Sequence, residues 1–163
     1  MRLDVAFRDM QPIDLDDLVW AGGLAHARAM EAALERSWRG EVEAVVAEVG
    51  GLRLIAHGFV DYAAHDGVGF ITMLAVHEAW QGLGIGKAMI GELERRIAAA
   101  GLPRAALYVE KDHPAAQGLY AGLGYEAVGS AVDHWPLDDG TRHAAPVFVM
   151  ERELGASSAS RES

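Results

Sequence analysis

Three glycines at alternate positions, Gly82, Gly84 and Gly86, stand where a long apolar run gives way to an amphipathic one, in the segment LAVHEAWQGLGIGK over residues 74–87. Backbone without Cβ atoms lets a bulky anion come close, and the free amides of a helix start point toward it. The chemistry such a turn serves is the binding of phosphate or pyrophosphate. Two familiar phosphate motifs do not fit. A P-loop needs glycine at 81 and Ser or Thr at 88, where the chain has Gln81 and Ala88. The third glycine of the dinucleotide fingerprint would fall on Lys87 or Met89. On these residues alone, a glycine-rich turn without a ligand is an equal alternative.

A second constellation follows at residues 107–125, LYVEKDHPAAQGLYAGLGY. Taken together, the two resemble the paired motifs of the GNAT superfamily of N-acetyltransferases. Gln81, Gly84 and Gly86 match the first, Arg or Gln, two residues, Gly, one residue, then Gly or Ala. Ala116, Leu119, Tyr120, Gly124 and Tyr125 match the second. His113 stands where that motif usually has Asn.

The resemblance implies acetyl-CoA as cosubstrate and no metal. It implies that the amides of Gly82, Leu83, Gly84, Ile85, Gly86 and Lys87 hold the pyrophosphate. It places the pantetheine arm along Leu74, Ala75 and Val76, and His113 and Ala116 beside the cofactor. A hydrogen bond from the His113 ring would stand in for the usual Asn. Tyr120 is the expected acid, donating to the departing thiolate; on spacing alone it would simply pack on its helix. The Val76 amide is the expected oxyanion donor. A homodimer through the late strands is also implied.

Acyl transfer to an amine needs a neutral nucleophile, and an alkyl ammonium has a pKa near ~10.4. The base stays open. Residues 68–76 carry no ionisable side chain, and Thr72 is their only hydroxyl. Glu110, Asp61, His65 and His77 are the candidates. The reading is an acyltransferase that moves acetyl to a primary amine, on a small molecule or a protein N-terminus or lysine. Two alternatives stand beside it: a non-catalytic acyl-CoA sensor, and a transferase for a longer donor such as succinyl- or malonyl-CoA.

Elements of the following order must position these residues. Residues 3–7 read as a strand, Pro12 and Asp14 open a helical stretch, and residues 24–38 are rich in helix formers. Residues 43–49 and 52–62 read as strands about a two-residue Gly50-Gly51 hairpin. Residues 68–76, VGFITMLAV, predict a central strand covered on both faces. Residues 84–100 predict a helix with Ile85, Met89, Ile90, Leu93 and Ile97 on its inner face. Residues 105–109 form a strand, Asp112 caps a helix to about Leu123, and residues 125–132 and 146–153 close the sheet. The expected fold is α/β, a mixed, mostly antiparallel sheet flanked by about four helices. His134 and Trp135 fall in the loop between the last strands. With Trp20 and Trp38 they are candidates for the acceptor pocket, although packing or a surface role would also place them.

A chain of 163 residues fits one domain, read as 1–154, with a small polar tail at 155–163 expected to be unstructured. It has no cysteine, which excludes disulfides, thiolate metal sites and acyl-cysteine chemistry. Its seven histidines show no metal-ligand spacing. Fourteen Lys and Arg against 24 Asp and Glu give a net charge of −10, which argues against nucleic-acid binding. The acidity serves solubility and, more weakly, attracts cationic amines. Residues 1–7 do not read as a signal peptide and no run reaches membrane-span length, so a cytoplasmic protein without membrane contact is expected.

Overall fold

Residues 4–51 and 53–155 are described by the structure, a computed structural model. The chain runs β1 (Val5–Asp9), a 3-10 stretch (Pro12–Ala21), α1 (Leu24–Ser37), β2 (Val42–Val49), β3 (Arg53–Asp61), β4 (Val68–Val76), a 3-10 turn (Glu78–Trp80), α2 (Ile85–Ala99), β5 (Arg104–Glu110), α3 (Pro114–Gly122), β6 (Glu126–Pro136) and β7 (Arg142–Glu153). The seven strands lie in the order β1-β2-β3-β4-β5-β7-β6. Every neighbouring pair is antiparallel except β4 and β5.

Local differences from the sequence reading have simple causes. The β2–β3 register pairs Val49 with Arg53, one residue beyond a two-residue hairpin. Gly50 and Gly51 both take positive φ there, as that turn requires. Leu3, the first residue of the expected first strand, Leu52, and residues 156–163, nearly all of the expected tail, lie outside the described residues. The cap of α3 is His113, not Asp112: its Nδ1 accepts the Ala116 amide at 3.1 Å. His134 and Trp135 are not in a loop. They lie in β6, paired with Ala144 and His143, because β6 and β7 extend to a tight turn at residues 137–141.

Two apolar layers cover the sheet. On one face, Ile85, Met89, Ile90, Leu93 and Ile97 of α2 bury against Val45, Ile55, Val60 and Ile71. On the other, Leu18, Met30 and Leu34 from the 3-10 stretch and α1 bury against Val46 and Phe59. Two strand glycines let α2 lie close. A Cβ at Gly69 would sit 2.4 Å from Ile97 Cγ1, and one at Gly58 would sit 2.8 Å from Leu93 Cδ1.

Arginines tie the layers together at their edges. Arg96 of α2 bonds Glu92 at 2.8 Å and reaches Asp9 of β1 at 2.5 Å. Arg8 grips the buried Asp14 with two bonds of 2.8 and 2.9 Å. The β6–β7 tip crosses to α1, where Asp138 Oδ1 accepts the Ala25 amide at 2.8 Å.

Because a side chain at 69 must push Ile97 outward, Gly69→Val is expected to cost about 1–3 kcal/mol of stability. Urea unfolding measures it; an unchanged midpoint would show that α2 does not depend on this close approach.

Candidate active site

β4 and β5 pair over only three positions, Val68 with Arg104, Gly69 with Ala105 and Phe70 with Ala106. Beyond them β4 stays with β3 and β5 stays with β7. A wedge therefore opens between residues 71–76 and 107–110, and both inner backbone edges lack strand partners among the described residues. Its cause is visible in β4. The β3–β4 register slips between His57 and Phe59, and Met73 takes a φ of 51°. This bulge bends the strand away from β5. It also explains why only the first half of β4 is buried, where an apolar run had predicted cover throughout.

The glycine turn closes the open end of the wedge. Gly84 is the N-cap of α2, with φ of 81°, and Gly82 has the same φ. A Cβ at either would touch nothing within 4 Å, so the backbone conformation, not packing, asks for glycine there. A Cβ at Gly86 would meet only Val76 Cγ2, at 3.7 Å. Among the described residues, the amides of residues 82–87 have no acceptor; the first helical bond is from Ala88 to the Gly84 carbonyl. Six free amides at an open helix start suit a pyrophosphate.

The other expected cofactor residues fall around this turn in different roles. Gln81 donates its Nε2 to the Val76 carbonyl at 3.1 Å, which fastens the turn to the end of β4. Ile85 points its side chain into the core and has only its amide to offer. Leu83 and Lys87 are exposed. The Val76 carbonyl faces away from β3, while the next amide, His77, bonds back to Ile55 at 2.7 Å. By strand alternation the Val76 amide faces the wedge with its carbonyl. Leu74 shares that edge, while Ala75 between them, paired with His57, turns its backbone toward β3.

α3 brings Tyr120 to the β5 side. Its ring packs edge-on to Tyr125 at 5.9 Å. Its hydroxyl has no hydrogen-bond partner among the described residues. Burial raises its pKa above the usual phenol value, so it stays protonated. Tyr125 is fixed in turn by Glu94, which accepts from its hydroxyl at 2.7 Å and holds Arg152 of β7 at 2.7 Å. His113 spends Nδ1 on the Ala116 amide, which leaves Nε2 free and Ala116 with no amide to give.

The proposed bases separate clearly. Asp61 is held by Arg36 through both oxygens, at 2.8 and 3.0 Å, and its pKa is lowered despite burial by that hydrogen bonding. His65 Nε2 lies 2.9 Å from the Tyr108 hydroxyl and packs on Phe70, at the crotch of the wedge. His77 accepts the Ala79 amide at 3.0 Å. Glu110 ends β5 half-buried. Trp38 is 65% exposed, beside Asp9 and Gln11, and is not part of the wedge. Trp20 does approach, with its ring 5.0 Å from His77.

His57 was not among the residues singled out from the sequence. It is fully buried on β3, opposite Ala75, between His26 of α1 and Phe59. The one available signal was a single polar residue inside the apolar strand LIAHGFV. Burial, reinforced by the nearby His26, lowers its pKa to about 4, with the Met73 backbone acting the other way.

Between pH 6.5 and about 4 the unfolded chain therefore binds a proton at His57 that the folded chain does not. Stability falls as pH falls through that window, by about 2 kcal/mol from pH 7 to pH 5 for this group. His57→Leu is expected to flatten the pH dependence of the urea midpoint; an unaltered slope would rule out a buried neutral imidazole.

The family model described as acetyltransferase (GNAT) family matches residues 10–125. An acetyltransferase of Pectobacterium atrosepticum is 37% identical over 84 residues, which cover 52% of this chain and 57% of that protein. The chain thus spans little more than half the length of that relative. The ribosomal-protein-S18-alanine N-acetyltransferase of Escherichia coli has a similar fold, with a TM-score of 0.72 over 93% of this chain and 94% of that one at 17% identity. The PaiA N-acetyltransferase of Thermoplasma acidophilum, solved with coenzyme A, gives a TM-score of 0.65 over 92% of this chain and 99% of that one at 15% identity. With the matched model spanning most of the chain, and the fold in agreement, the chain belongs to the acetyltransferase (GNAT) family.

Proposed function

We propose that the protein is an N-acetyltransferase that moves the acetyl group of acetyl-CoA to a primary amine by direct attack while both are bound. The observation that carries this reading is the juxtaposition at one wedge of six free turn amides, an unpaired β4 edge and an unpartnered tyrosine hydroxyl. The amides of residues 82–87 hold the pyrophosphate, and the edge of Leu74, Ala75 and Val76 bonds the pantetheine arm. The Val76 amide stabilises charge growing on the carbonyl oxygen. Tyr120 donates a hydrogen bond to the sulfur as it leaves. The protonated phenol supports this assignment, since only that form can donate.

Acceptor identity lies in the walls built by the 3-10 stretch, α1 and the β6–β7 hairpin. The net charge of −10 favours a cationic amine, on a small molecule or a peptide N-terminus or lysine. A cytoplasmic setting belongs to the same reading. So does a homodimer through β6, an edge strand with Val128 and Val132 exposed by 58% and 57%. Sedimentation giving the monomer mass at tens of micromolar protein would sink the dimer.

Saturating acetyl-CoA, about a hundredfold above its Kd, is expected to stabilise the fold by about 2.7 kcal/mol. The corresponding rise in Tm is roughly 5–11 °C. A bulky residue at Gly84 should abolish it. Tyr120→Phe should keep the rise and lose about 10²–10⁴ in kcat, read by thiol release. Unchanged turnover in that variant would remove Tyr120 from the mechanism, and no rise in the parent protein would remove the cofactor.

A further inference from the structure

The bulge that opens the wedge is a backbone problem that β4 does not solve by itself. Ile71 and Thr72 pair with Val60 and Phe59, and Ala75 and Val76 pair with His57 and Ala56. Met73 and Leu74 therefore stand together opposite Gly58. Strand alternation breaks at the same place. Thr72 shares a face with its partner Phe59, and the next side chain, Met73, packs into the layer that holds Phe59. Among the described residues, Met73 is the only non-glycine with a positive φ, at 51°. A side chain stays in that region only where its surroundings hold it. The run FITMLAV over residues 70–76 has no glycine, asparagine or aspartate to ease the turn. A bulge also takes a residue's carbonyl out of the ladder, and inside a sheet that oxygen needs another donor.

His57 stands beside this bulge on β3 and is fully buried. Its ring lies among those of Trp20, His26 and Phe59, on the face that takes the Met73 side chain. Its polar contact is with the Met73 backbone, in the sense that favours a proton on the ring. A contact of that sense is a ring N–H donating to a carbonyl. The neutral ring that burial maintains still has one N–H to give. An imidazole in an apolar strand carries a desolvation cost that leucine or phenylalanine would not. The bond to Met73 gives that cost a purpose.

We propose that His57 is a positioning residue: its ring N–H holds the Met73 carbonyl in the bulged conformation, and this pin keeps β4 splayed from β5 so that the coenzyme slot is open before the ligand arrives. The proposal rests on the acetyl-CoA reading above. A bond from β3 fixes the bulge on the side away from the slot, so the Leu74 backbone and the Val76 amide stay unspent on the inner edge. The other end of the same segment is fastened by Gln81, which donates to the Val76 carbonyl at 3.1 Å. Two side chains thus hold residues 73–76 at both ends. Without the first, β4 can straighten and extend its parallel ladder with β5 beyond Phe70 and Ala106. If the open form then falls to about a tenth of the population, the apparent Kd for the coenzyme rises about tenfold while the bound state is unchanged.

Calorimetric titration with acetyl-CoA tests the pin. His57→Leu and His57→Phe remove the donor, the second keeping a flat ring. Each is expected to unfold cooperatively in urea and to bind acetyl-CoA about tenfold more weakly than the parent. His57→Gln keeps an N–H donor and should retain most of the parent's affinity. The sharpest variant is Met73→Gly in the His57→Leu background. Glycine takes a positive φ without strain, so the bulge no longer needs holding and affinity should return. If His57 only filled space, removing the Met73 side chain as well would not mend its loss. Unchanged affinity in the apolar variants, an equal loss in His57→Gln, no recovery with Met73→Gly, or failure of both apolar variants to fold would each overturn the pin and leave the coenzyme site standing. If the parent protein itself does not bind acetyl-CoA, the coenzyme reading fails and the pin with it.

Discussion

Everything else in this structure depends on the separation of β4 from β5 after three paired positions. A sheet interior normally satisfies its backbone within itself, and two unpaired edges inside it are costly unless something polar enters. Here the gap is held open from both sides. The bulge at Met73 bends β4 toward β3, and the long β5–β7 ladder keeps β5 with the opposite half of the sheet. The free edges then meet the free amides at the start of α2. A slot results in which backbone, not side chains, supplies most of the polar contact. That is why a chain with only fourteen basic residues can offer an anion site at all.

Holding the slot in shape is the work of close helix packing and a few strong polar clamps. Gly58 and Gly69 allow α2 to press on β3 and β4, so the position of its N-terminus is tied to the strands that form one wall. On the other wall, Glu94 joins α2 to Tyr125 and to Arg152 of β7. This clamp sets the end of α3 and, through ring contact, Tyr120. Hydrogen bonds to a half-buried carboxylate are stronger than neutral ones, which suits a joint between a helix and the far strands of the sheet.

The opposite face of the sheet has a different character. There the 3-10 stretch and α1 cover an aromatic and imidazole-rich patch, and the β6–β7 tip reaches over to cap α1 through Asp138. Gly23 has no room for a side chain at that cap, since a Cβ would fall 1.9 Å from Asp138 Oδ2. This face is thus assembled from segments more than a hundred residues apart. It is also where the buried ring nitrogens of Trp20, His26 and His57 collect.

The sequence by itself determined the elements and the glycine turn that opens α2. The inner face of α2, the run of β4 and the glycines at 82, 84 and 86 are local patterns, legible because periodicity and φ are properties of short segments. Tyr120 was singled out because its motif is local as well. The sequence did not determine where strand pairing stops, because the short β4–β5 overlap depends on a bulge inside an apolar run that carries no turn signal. Nor did it assign the roles of lone polar residues. Asp112 had the residue type of a cap, yet the chain entered α3 one residue later and His113 took the part. Asp61 and His65 were candidates until tertiary contacts supplied Arg36 and Tyr108 as partners. His57, His26 and Trp20 share no spacing that a sequence pattern could detect. They come from a strand, a helix and a 3-10 stretch, and only packing those three layers on the sheet brings the rings together.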